Sequence, residues 1–325
     1  VYKRQALALP LVYLISFAWR TLIQRREAGL FEILQSLGCV MAGYVGAIHL
    51  LHGEGRSTAA LGWATLVVAV IGYVVAFMLV RQRQGRGLNF FYHAWLGLVL
   101  TFIGTSLVVS GSWLPYLWAG LGVAAAITGG IFDRWTLRLH CAVYLIGAAA
   151  VTGTAARLFA VFVARRTPSW DAFTSAGLIV AILATAAYGL LVGAQRSREV
   201  SGWRRVPRFL VAMLVLSGAG IVVVTALAVW GTSVLPWPEG AVVAVTRTAV
   251  LSAVTVLLAA LGRRPLLAEL AWFVNPLLVL VGLKVLLEDL RAGTPLALFF
   301  GFTCFGIALI VAPRLRRRRS DDTRE

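Results

Sequence analysis

RRPLLAELAWFVNPLLVLVGLKVLLEDLRAGTPLALFFGFTCFGIALIVAPRLRRRR, residues 263–319, decides the fold. Two apolar segments, Leu266 to Leu287 and Pro295 to Ala312, stand either side of a short charged gap and are closed by Arg314, Arg316, Arg317, Arg318 and Arg319. Each segment is near the ~20 residues that an α-helix needs to cross the hydrocarbon of a bilayer. Both are continuously apolar, without the period-2 alternation of a membrane β-strand, so each has to satisfy its own backbone as a helix.

The rest of the chain repeats this pattern. Of 325 residues 60% are hydrophobic and only 13% charged, whereas soluble domains are nearer half apolar and a quarter charged. Working back to the amino terminus, the apolar runs are Gly240 to Leu261, Phe209 to Trp230, Ser175 to Ala194, Leu137 to Phe159, Ser112 to Phe132, Leu88 to Val109, Ala59 to Val80, Leu30 to Leu51 and Ala6 to Ile23. The fold class expected is an all-α polytopic transmembrane bundle with about 11 spans. It occupies residues 6–312 and is followed by a basic tail, 313–325. Val1 to Gln5, VYKRQ, read as a non-native sequencing scar, with the natural chain expected to begin upstream. Without Lys3 and Arg4 the formal charge falls from +17 to +15.

The arginines lie in the gaps between runs, which makes them topology signals facing anionic headgroups rather than a nucleic-acid surface; no nucleic-acid partner is expected. Placing the tail in the cytoplasm sets Arg263 and Arg264; Arg196, Arg198, Arg204, Arg205 and Arg208; Arg134 and Arg138; Arg81, Arg83 and Arg86; and Arg25 and Arg26 on the same side. Arg165 and Arg166 alone oppose the count. Membrane lipids are the expected partners. Close approaches of small residues, at Ala149 and Gly153 and at Ser217, Gly218 and Gly220, are expected to pack helices, and homo- or hetero-oligomers are compatible with such surfaces.

Few residues offer chemistry. Asn275-Pro276 sits about ten residues into its run, roughly 15 Å deep. Pro276 cannot donate to the carbonyl of Trp272, so a kink with a freed carbonyl beside an amide is expected, either a substrate or ion contact or a tolerated bend. Arg247, between Thr246 and Thr248, must snorkel or face a polar cavity, where it would hold an anion. Lys284, the only lysine beyond Lys3, shares a helical face with Glu288 and Arg291, either as a substrate contact or as a solvated row. His49 and His52, in HLLHGE, are weak metal candidates at i, i+3 without a third histidine. Cys39, Cys141 and Cys304 form no CxxC pair, and no Walker loop or nucleophile elbow occurs, so no cofactor is expected. Glu32 and Glu269 lie near cytoplasmic ends beside arginines, which leaves no midplane carboxylate for a proton relay.

Lys284, Glu288, Asp289 and Leu290, followed by the final helix, resemble the carboxy-terminal end of large bacterial multi-spanning membrane proteins grouped as domains of unknown function. The likeness runs from Gly282 to Arg319, about a tenth of the chain, and implies a bacterial inner-membrane location with no activity attached. Three functions fit these residues. A permease-like transporter of a small solute or lipid-linked compound expects Asn275, Pro276, Arg247 and Lys284 to contact substrate. A scaffold or envelope-assembly subunit expects them buried without a cavity. An intramembrane enzyme on lipid-linked substrates expects His49, His52 and Arg247 to converge.

Overall fold

The computed structural model describes residues 12–24, 26–80, 87–163, 167–170, 175–194, 202–290 and 294–322. The scar at 1–5, Arg25, Arg81, Arg83, Arg86, Arg165, Arg166, Arg196, Arg198 and Arg291 lie outside the described residues. The chain divides into two compact units, Val1–Leu114 and Pro115–Glu325. Among the described residues the structure is helical without strands. Among the described residues nine helices are long and apolar enough to cross a membrane, or ten with one bent pair taken as a single span. The remaining run, Ala6 to Ile23, is described only from residue 12, as a short helix passing into a π turn at Trp19–Ile23.

In the first unit that segment is followed by α1 (Leu30–Gly53), α2 (Ala59–Val74, prolonged by a π turn Val75–Val80) and α3 (Gly87–Val108). Two glycines let α2 and α3 touch. A Cβ on Gly62 would lie 2.6 Å from Val108 Cγ2, and one on Gly104 would lie 2.8 Å from Leu66 Cγ, so any larger residue forces the helices apart. Asn89 ties the chain entering α1: its Oδ1 accepts from Ala28 N at 2.9 Å and its Nδ2 donates to Arg26 O at 2.9 Å.

The second unit holds α4 (Leu114–Ile131), α5 (Trp135–Val151), α6 (Thr154–Val163), α7 (Ser175–Gly193), α8 (Val206–Val234) and α9 (Glu239–Leu261). A 3-10 stretch Pro265–Phe273 then leads into α10 (Val274–Lys284), which ends in a π turn Val285–Asp289, and α11 (Pro295–Asp322) closes the unit. α11 runs through Pro313, past the apolar limit at Ala312.

The run expected as one span from Leu137 to Phe159 is instead α5 and α6, bent by 65°. Gly153, expected to pack helices, has no atom within 4 Å of a built Cβ and sits at φ +71°. It is the left-handed residue that ends α5, and the Thr152 hydroxyl bonds back to Ala149 O at 3.0 Å. Gly218 does pack as expected, since its Cβ would meet Ala181 Cβ at 2.8 Å.

α9 is the centre of this unit: 61% of its apolar stretch is buried, against 17% for α11. Around it, Leu251 packs with Val281 and Val285, and Leu258 and Ala259 pack with Leu270, Val274 and Ala312. Outward faces carry apolar residues such as Val279, Leu283, Ile307 and Ile310, the surface that lipid solvates.

Candidate functional site

Along the enclosed part of α9, Arg247, Thr248, Ser252 and Thr255 are buried. Arg247 is 0% exposed, so it does not snorkel; its Nη1 donates to Glu288 Oε1 at 2.8 Å. Thr248, also buried, donates its hydroxyl to Asp289 Oδ2 at 2.7 Å. Lys284 uses all three of its donors: to Ala244 O at 2.9 Å, to Thr248 Oγ1 at 2.7 Å and to Asp289 Oδ1 at 2.5 Å. Glu288 Oε2 lies 3.6 Å away. Among the described residues two cations thus meet two anions with no formal charge left over. α11 closes over them at Gly301, where a Cβ would stand 3.3 Å from Asp289 Oδ2.

The backbone explains how Lys284 and Asp289 meet. Five residues in an α-helix turn through about 500°, leaving the two side chains roughly 140° apart. The π turn Val285–Asp289 takes more residues per turn and brings position 289 round toward 284. Lys284 is therefore not one of a solvated row but is 8% exposed inside a network. α-Helical spacing singled out Lys284, Glu288 and Arg291, the last outside the described residues, and Arg247 stood out as a charge inside an apolar run; spacing passed over Asp289 and Thr248, and nothing local in the sequence announces a π turn.

Asn275 and Pro276 do not join this network; both are exposed on α10. The expected kink is displaced as well. The non-helical residue is Leu267, at φ −121° and ψ 21°, and the 3-10 stretch carries the chain to Val274, where α10 begins. Pro276 therefore stands in the first turn of an α-helix, where a missing N–H costs little.

A second buried ionic group lies roughly 24 Å along the same span, taking 2.0 Å per residue in the 3-10 stretch and 1.5 Å in α10. Glu269 is 0% exposed and does not pair with Arg263 or Arg264. The Tyr188 hydroxyl of α7 donates to its Oε1 at 2.9 Å, and Arg208 Nε of α8 stands 3.5 Å from the same oxygen. Arg208 Nη2 donates to Leu266 O at 2.8 Å.

His49 and His52 are exposed at the end of α1, beside Glu54, which pairs with Arg56 at 3.5 Å. Among the described residues no three His, Cys, Asp or Glu side chains gather as metal ligands. No protein-family model, no curated protein and no solved structure matches this chain.

Proposed function

We propose that the chain is a permease-like transporter of a small solute, seated in the bacterial inner membrane with its carboxy-terminal tail in the cytoplasm. One observation carries this reading: the span Pro265–Asp289 changes hydrogen-bond register twice, and its π end holds Lys284, Glu288 and Asp289 against Arg247 in a buried, charge-balanced cluster. Breaks in register are where a helix rotates or slides at low cost, and non-α turns concentrate at functional sites. Ionisable groups at this depth are expensive to keep and mark solute pathways. Four mutually neutralised charges form a closed state that opens by exchanging partners, and Arg247 and Lys284 are the groups then offered to a solute.

The test is a cysteine at Ala244, which is 2% exposed and lends the cluster only its backbone carbonyl. In a background lacking Cys39, Cys141 and Cys304, a membrane-impermeant thiol reagent is expected to label Ala244→Cys in sealed vesicles, and faster when Glu288→Gln loosens the cluster. Absence of labelling in both backgrounds overturns transport. That result leaves the scaffold reading, which the burial of Arg247 and Lys284 fits and the exposure of Asn275 and Pro276 does not.

A further inference from the structure

The starts of α5 and α8 lie together: Trp135 Nε1 donates to Trp203 O at 3.3 Å, and Arg138 and Arg205 are the like-charged neighbours of Arg208. Both helices begin with the wrong charge. Arg134 is the N-cap of α5 and Arg205 the N-cap of α8, and neither makes a side-chain cap. A helix start carries partial positive charge and unmet N–H groups, so it favours an anion and disfavours a cation.

The side chains repeat the mismatch. Arg138 is 4% exposed and Arg208 2% exposed, each held on one edge by one acid: Arg138 Nη2 bonds Asp133 Oδ1 at 2.8 Å, and Arg208 faces Glu269. The Nε atoms of Arg134, Arg138 and Arg205 are buried, and among the described residues none has a hydrogen-bond partner; that of Arg208 faces Glu269 at 3.5 Å. Among the described residues four guanidinium groups stand against two carboxylates, an excess of two positive charges. Buried like charges and orphan charged donors are both costly, and one ligand answers both.

We infer that the joined starts of α5 and α8 form a binding site for a phosphate-type dianion, held by Arg134, Arg138, Arg205 and Arg208. A phosphate monoester carries about −1.5 to −2 charges and three strong acceptor oxygens, which matches the excess charge and the set of free N–H groups. Guanidinium groups and helix starts are the usual donors for that ion. The same chemistry comes either on a lipid headgroup or as a free anion. This site does not depend on transport and stands or falls apart from it.

The experiment is thermal unfolding of the full chain in an uncharged detergent, with three additions measured separately: inorganic phosphate, a soluble short-chain phosphatidylglycerol, and short-chain phosphatidylcholine as the zwitterionic control. The site predicts a saturable rise in unfolding temperature with phosphatidylglycerol, with phosphate or with both, and none with phosphatidylcholine. A rise with phosphatidylglycerol alone makes the ligand a headgroup; a rise with phosphate makes it the free anion. In Arg205→Gln, and separately in Arg138→Gln, the midpoint concentration is expected to rise on the order of tenfold, the loss of one charge-assisted hydrogen bond. Arg205 is partly exposed and its removal orphans no acid, so that variant remains informative if Arg138→Gln misfolds. The inference is overturned by equal rises with all three additions, by no rise with any, or by an unchanged midpoint in Arg205→Gln.

Discussion

Two regions of the second unit hold buried charge on opposite terms. Around α9, Arg247 and Lys284 meet Glu288 and Asp289, and Lys284 has no donor to spare. At the starts of α5 and α8, Arg134, Arg138, Arg205 and Arg208 meet, among the described residues, only Asp133 and Glu269, and the Nε atoms of Arg134, Arg138 and Arg205 have no hydrogen-bond partner. The first region is charge-balanced among the described residues, so its stability is intrinsic, and transport as proposed requires that it be disrupted. The second is incomplete, so its stability depends on what is bound. The number of ionic contacts does not separate them; the balance of charge does.

The largest effect expected from this contrast comes from breaking the complete region. Asp289→Ala leaves Lys284 buried without its closest anion and is expected to lower the unfolding free energy by roughly 3–5 kcal/mol. Sodium dodecyl sulfate titration in mixed micelles, read by tryptophan fluorescence, measures it. The paired change Lys284→Met with Asp289→Leu removes both charges and is expected to recover most of that loss, because a neutral pair of similar volume replaces a neutral ion pair. A loss below about 1 kcal/mol in Asp289→Ala would mean that water reaches Lys284 and that the region is not closed.

At the incomplete region the sign reverses. Removing one charge by Arg205→Gln relieves repulsion and an unfavourable helix-start charge, and is expected to raise stability by about 0.5 kcal/mol at low ionic strength without added phosphate. Near 1 M salt the Debye length is about 3 Å and the gain is expected to vanish. Destabilisation of the anion-free chain by Arg205→Gln would remove the distinction between the two regions.

Much of the architecture is legible in the sequence because lipid imposes one severe rule: a spanning segment must bond its own backbone. That rule places α1, α4, α7 and α9 within a few residues of where the apolar runs put them. It is silent on φ, and Gly153 therefore passes for a packing residue until its left-handed conformation is seen. Arg247 and Lys284 stand out as charges in apolar runs, but their partners do not. Asp289 is hidden by a change of helical register, and the Arg208–Glu269 pair joins helices 61 residues apart, beyond any local spacing. Counting arginines for topology has its own blind spot. It treats Arg134, Arg138, Arg205 and Arg208 as interchangeable markers, whereas their burial and unmet donors set them apart from Arg263 and Arg264, which are exposed.

The smallest effect expected falls between the two regions, at Asn275. This residue attracts attention in the sequence because it precedes a proline near the middle of an apolar run, where a freed carbonyl and an amide could form a site. The backbone takes that tension away: the 3-10 stretch ends at Phe273, α10 starts at Val274, and Pro276 occupies a first-turn position that needs no N–H donor. Asn275 points outward and belongs to neither charged group. Asn275 is exposed, so the contact its side chain makes is not a buried one, and Asn275→Ala is expected to change the unfolding free energy by no more than about 0.5 kcal/mol. The same detergent titration checks it. A loss above about 1.5 kcal/mol would place Asn275 in a contact worth a buried hydrogen bond. If that loss appeared only above the concentration at which the chain self-associates, the contact would lie between copies, and the outward face of α10 would be an interface rather than a lipid surface.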